Sequence, residues 1–123
     1  MMPEKPFDVS AAARNLREKH LEENRKLEKR RILGQDLAAR TARLMAASDD
    51  SLVRIIGFGS TFEIWRNYRF DSDIDLAVTG GSLKKLESVI PRSTFEISII
   101  QLEDQSPEFQ QLVLKNGTVL YEK

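Results

Sequence analysis

Asp73 and Asp75 lie two residues apart at the opening of an apolar run, Ile74-Asp75-Leu76-Ala77-Val78. Earlier in the chain another apolar, β-branched run, Leu52 to Phe58, leads directly into Gly59-Ser60. In a strand, side chains two apart leave the same face, so both carboxylates point to one side. Such a pair suits one or two Mg²⁺ ions, which prefer carboxylate and phosphate oxygens. Glycine at the end of a strand permits a tight turn and lets a phosphate approach main-chain N–H groups that a Cβ would obstruct. Ser60 adds a hydroxyl donor. Gly59 and Ser60 are therefore candidate phosphate-binding residues, and Asp73 and Asp75 candidate metal ligands.

Neither half is specific alone. Gly-Ser is a common turn, and Asp71-Ser72-Asp73 can simply solvate a loop. The alternating aspartates also imitate the start of a calcium loop, but that motif needs glycine at its sixth position and glutamate at its twelfth. Those positions hold Leu76 and Ser82. The ordered combination of strand, Gly-Ser, spacer and Asp-x-Asp on a second strand is far more specific than either part.

The elements that must position these residues follow from local pattern. A helix is expected from about Ser10, whose side chain can cap it, after a start disfavoured by Pro3 and Pro6. From Arg14 to Arg31 only Leu16, Leu21 and Leu27 are large and apolar, so this charged half is expected to project or to meet another subunit. From Ile32 to Ala47, Leu33, Leu37, Thr41, Leu44 and Met45 recur at helical spacing and are expected to face the body. Gly34 is a candidate break between the halves, although one glycine costs only about 1 kcal/mol in a helix. The division expected is a helical arm over residues 1–47 and a catalytic-type domain over 48–123.

Leu52–Phe58 and Ile74–Val78 read as strands, the second closed by Gly80-Gly81. Ser82 is the expected cap of a short helix ended by Pro91, and Thr94–Ile100 reads as a third strand. Ser106, Pro107 and Gly117 bracket a further helix, followed by a short edge strand at Thr118–Tyr121.

Composition narrows the classes. The 123 residues amount to one domain, and 41% apolar with 31% charged residues is a globular balance. The formal charge is zero, so any nucleic-acid role must come from a local patch. The basic stretch of the first helix is interleaved with Glu18, Glu22, Glu23 and Glu28, which favours a solvated face over phosphate contact. No run approaches the roughly 18 apolar residues of a membrane span, and the start lacks a signal-peptide core, so a cytoplasmic protein is expected. With no cysteine and only His20, a bound metal must be held by oxygen.

From Val53 to Tyr121 the chain resembles the DNA polymerase beta-like nucleotidyltransferase superfamily, in particular its minimal members. The resemblance rests on Phe58-Gly59-Ser60, a twelve-residue spacer (61–72) and Asp73-Ile74-Asp75-Leu76, with the closing Asn116-Gly117-Thr118-Val119-Leu120-Tyr121. It implies an α/β (α+β) fold: a nucleotidyltransferase-like mixed sheet flanked by helices, here preceded by a long N-terminal helix. It also implies Mg²⁺-dependent transfer of a nucleoside monophosphate, AMP from ATP, with Asp73 and Asp75 as catalytic metal ligands.

Minimal relatives often follow Gly-Ser with a basic turn, whereas this chain has Thr61-Phe62-Glu63-Ile64-Trp65. Basic residues come only at Arg66 and Arg69, the candidate triphosphate contacts. Trp65 and Tyr68 are expected to pack on the body, with base stacking as the alternative. The family's third carboxylate falls at Ser98, and Glu96, two residues earlier on the same side of its strand, is the candidate replacement. The resemblance further implies a small helical partner of the HEPN type, modified as the toxin of a toxin–antitoxin pair, or a homo-oligomer. Two alternatives remain: a catalytically weak nucleotide-binding antitoxin acting by contact, and a nucleic-acid-modifying nucleotidyltransferase.

Overall fold

The β-branched run after the Ser48–Ser51 turn forms strand β1, Leu52–Phe58, in a computed structural model that describes residues 9–123. Residues 1–8, with Pro3 and Pro6, lie outside the described residues. Ahead of β1 runs one helix, α1 (Val9–Ser48). After it come β2 (Ile74–Gly80), α2 (Leu83–Ser88), β3 (Ile97–Gln101), a 3₁₀ turn at Leu102–Asp104, α3 (Pro107–Asn116) and β4 (Thr118–Glu122). The sheet order is β3-β2-β1-β4, with β2 and β3 parallel and the other neighbours antiparallel. This is the expected mixed sheet flanked by helices and preceded by a long one.

Alternation along β2 divides the molecule. Ile74, Leu76 and Val78 face one side, where they are buried with Leu37, Ala38, Ala42 and Met45 of α1 and Leu86 of α2. Ala77 faces the other side, with Ile56, Leu102 and Val113 of α3. Asp75 leaves β2 on that second side, which is the geometric reason its carboxylate escapes the main core.

Several expectations change at α1. Ser10 lies inside the helix and does not cap it. Gly34 causes no break: it sits where a Cβ would meet Phe95 Cε1 at 3.2 Å and Thr61 Cγ2 at 3.3 Å, so it lets the helix approach closely. The buried stripe is Gly34, Leu37, Ala38, Thr41, Ala42 and Met45, built largely from small residues. Leu33 and Leu44, expected on that face, are 56% and 42% exposed. The projecting half also ends earlier than expected. Arg30 donates to the Phe70 and Thr94 carbonyls and lies 4.0 Å over the Phe95 ring, and the buried Arg31 stacks over Tyr68 at 5.1 Å. Long cationic side chains here cover apolar surface.

Ser106 accepts from the Phe109 N–H, Pro107 opens α3 and Gly117 ends it, as expected. Ser82 precedes α2 but makes no side-chain cap, α2 ends at Ser88 before Pro91, and β3 starts at Ile97 rather than Thr94. No helix among the described residues is long and apolar enough to cross a membrane.

Candidate functional site

Gly59 ends β1 with φ +77°, a left-handed conformation that favours glycine. The chain then makes one tight turn, in which the Phe62 and Glu63 N–H groups donate to the Gly59 carbonyl at 3.1 and 2.8 Å. The N–H groups of Ser60 and Thr61 make no hydrogen bond among the described residues. Thr61 itself is buried, its hydroxyl donating to the Asp73 carbonyl at 3.0 Å, which ties the turn to the start of β2.

Phe58 pairs with Asp75 across the antiparallel β1–β2 ladder, so the Gly59 turn and the Asp-x-Asp segment are brought side by side. A Cβ on Gly59 would run into Asp75 Oδ2. A side chain at this position would displace the carboxylate and would hold a φ that L residues rarely adopt. Burial raises the Asp75 pKa to about 6, and the charges of Asp73 and Glu63 push the same way against a smaller opposing effect of Arg66. A half-buried carboxylate crowded by two acids is electrostatically incomplete, and a cation would relieve it. Among the described residues no group of three or more acidic, histidine or cysteine side chains could hold a metal alone. Asp73 and Asp75 could hold a divalent cation only as a two-carboxylate platform, its remaining ligands to be supplied by phosphate or water.

Parallel pairing places Ser98 directly beside Asp75 and carries Glu96 alongside Asp73. Phe95, Ile97 and Ile99 turn the opposite way, against the main core. Glu96 is exposed and lines a recess of about 240 Å³ together with Asp73, Arg30 and Thr94. Both positions considered for a third carboxylate therefore flank the aspartate pair, with serine on the inner one.

The spacer residues separate. Arg66 reaches the site, with Nε 3.1 Å from Glu63 Oε2. Arg69 instead pairs with Asp71 at 3.2 Å and lines a larger recess of about 680 Å³ between α1 and residues 67–71. Tyr68 is buried as expected, and burial raises its pKa, whereas Trp65 is 64% exposed and does not pack on the body.

Glu63 escaped notice in the sequence. Its side chain is 4% exposed, and its carboxylate accepts the Gly59 N–H at 2.5 Å while holding Arg66. The available signal was its place one helical turn after glycine, where an acidic side chain can reach back to the first amide of a turn.

No family model and no curated protein matches the chain. Solved structures that share its fold include two toxin–antitoxin chains. One is a chain from a mutant of the toxin–antitoxin MntA-HpeT carrying two aspartate-to-glutamate changes two positions apart. It is 21% identical with a TM-score of 0.51, over 68% of this chain and 71% of that one. The other is a chain from a toxin–antitoxin with AMP-PNP, 22% identical with a TM-score of 0.52, over 69% and 73%.

Proposed function

We propose that this protein is a minimal, Mg²⁺-dependent nucleotidyltransferase that binds ATP and transfers AMP to a partner protein, as the antitoxin of a toxin–antitoxin pair. The observation that carries the reading is the Asp75 carboxylate against the Cβ-free Gly59, with Asp73 beside it and its pKa raised to about 6. Support also comes from the shared fold with a toxin–antitoxin chain whose complex was determined with AMP-PNP. The mutant neighbour, altered at two aspartates of the same spacing as Asp73 and Asp75, points the same way.

In this reading Asp73 and Asp75 hold the metal, and the Ser60 and Thr61 N–H groups with Arg66 receive the outer phosphates. Bound Mg²⁺ supplies charge neutralisation at the phosphate oxygens. The acceptor oxygen forms a bond to the α-phosphorus as the bond to pyrophosphate breaks, and the acceptor proton passes to solvent or to Glu96. Residues of this chain orient the triphosphate for in-line attack, which is where most of the catalysis in phosphoryl transfer lies. The acceptor in this reading is a small helical protein of the HEPN type, as the family resemblance implies.

Ser98 beside Asp75 favours a second reading, in which nucleotide is bound but transfer is weak and neutralisation works by contact. Radiolabel transfer from each of the four triphosphates, with and without the partner, separates the two. The expected result is Mg²⁺-dependent ATP binding that Asp73→Asn with Asp75→Asn abolishes, a loss above about 100-fold. Unchanged metal-dependent binding in that double variant sinks the proposal.

A further inference from the structure

The turn expected to receive phosphate already contains an anion of its own. Glu63 is an acidic residue with a 4% exposed side chain, held between the Gly59 N–H at 2.5 Å and Arg66 Nε at 3.1 Å. Those two donors, one amide of the Gly-Ser turn and a guanidinium whose charge acts on Asp75, are the kind a nucleotide's outer phosphates use. Glu63 also contributes to the like-charge crowding that raises the Asp75 pKa.

We propose that Glu63 is an affinity-setting residue that competes with the outer phosphates of the nucleotide: its carboxylate occupies the Gly59 N–H and Arg66, and nucleotide binding requires it to leave. The inference rests on the nucleotide-binding reading and adds the regulation of that site. A triphosphate beside the buried Glu63 would add its charge to those of Glu63, the half-buried Asp75 and the exposed Asp73. Repulsion there exceeds that at an exposed site. Releasing Glu63 to solvent removes one negative charge and frees two charge-matched donors at once. Mg²⁺ on the aspartate pair favours the incoming phosphate, so metal and triphosphate together displace what neither displaces alone.

A brace makes the opposite prediction, because a glutamate that merely orders the turn should help nucleotide binding. Glu63→Gln keeps the size and one acceptor oxygen but removes the charge. The expected outcome is a Kd for Mg²⁺-ATP, and for Mg²⁺-pyrophosphate, lower by about 5- to 50-fold than in the parent, the scale of one charge-assisted hydrogen bond. In the isotope-labelled parent, Mg²⁺-pyrophosphate should move the Glu63 side-chain carboxyl resonance to that of a solvated carboxylate and shift the Gly59 amide. If Glu63→Gln binds more weakly, or ligand binds while the Glu63 carboxyl and Gly59 amide stay in place, the inference is overturned and nucleotide binding still stands. If neither protein binds either ligand, the nucleotide reading falls and takes this inference with it.

Discussion

Asp49 and Asp75 sit at opposite ends of the same antiparallel pair, β1 and β2, and their surroundings are electrostatic opposites. Asp49 accepts the Ser51 N–H at 3.0 Å, the Ser51 hydroxyl at 2.5 Å and the Ser82 N–H at 2.8 Å. These hydrogen bonds, the Ser51 hydroxyl first, hold its pKa below the usual carboxylate value. Asp75 has burial and two acids about it, and its pKa rises to about 6. Both ends use glycine in the left-handed region, Gly80 and Gly81 at one and Gly59 at the other. Glycine beside an aspartate therefore does not distinguish a structural corner from a functional site. What distinguishes them is whether the carboxylate's partners are donors, which complete it, or acids, which leave it short of a cation.

The comparison breaks most visibly at the completed end. Asp49→Ala removes the acceptor that joins the α1–β1 turn to the Ser82 N–H, leaving that amide without its partner. The expected result is a Tm lower by about 5 °C at pH 7, with nucleotide affinity unchanged. The Asp49 pKa is lowered on folding, so its stabilisation is present above the unfolded value of 3.8 and is lost as pH falls through the folded one. The gap between parent and variant in thermal melts should narrow as the pH falls below 3.8. A variant as stable as the parent at pH 7 would mean that the donors around Asp49 are ornamental.

How much of this was legible in sequence depends on the range of the interaction. The Gly59 turn, β1, β2 and the Ser106-to-Gly117 bracket of α3 follow from patterns a few residues long, and the fold contains them. The face of α1 was legible at Leu37, Thr41 and Met45 but not at Gly34, Ala38 and Ala42, small residues whose value lies in how closely the helix approaches Phe95, Thr61 and the sheet. Hydrophobicity counts leucines and passes over such positions. Arg30 and Arg31 were misread for a related reason: their stems and guanidinium planes pack on Phe95 and Tyr68, which only the fold brings near. The donors of Asp49 and the role of Glu63 needed neighbours in space, Ser82 for one and Arg66 with Asp75 for the other.

The incomplete end yields a prediction of opposite sign. Asp75 has a folded pKa of about 6 against 3.8 unfolded, so without metal the unfolded chain releases its proton first as pH rises. Stability is therefore lost between about pH 4 and pH 6 and stays lost above it. Asp75→Asn should match the parent near pH 4 and exceed it by about 3 °C in Tm at pH 7 without Mg²⁺. In the parent, Mg²⁺ affinity should rise across the same window, because the cation competes with a proton. A parent whose metal-free Tm climbs steadily from pH 4 to pH 7 relative to Asp75→Asn would contradict the crowding at this end.

The smallest effect is expected where the two aspartates' contrast is weakest, at Glu96. It is exposed, so its charge is solvated, yet it lines the same recess as Asp73 and precedes Ser98, which pairs with Asp75, by two residues on β3's side of the sheet. Its backbone work, the Glu96 carbonyl accepting the Ile74 N–H at 2.8 Å, survives any side-chain change. Glu96→Gln should accordingly leave Tm unaltered and change Mg²⁺-ATP affinity by no more than about twofold, since an exposed charge acts through high dielectric. Transfer is the sharper readout. Ser98 stands next to Asp75 and carries no base, so Ser98→Asp should raise transfer from a low baseline while pushing the Asp75 pKa further up, as a third acid must. If instead the parent transfers rapidly and Glu96→Gln abolishes transfer with binding intact, the exposed glutamate is the working third carboxylate. An acid at the rim would then matter more to turnover than the crowding around Asp75, and the contrast between the two ends would have to be redrawn to include β3.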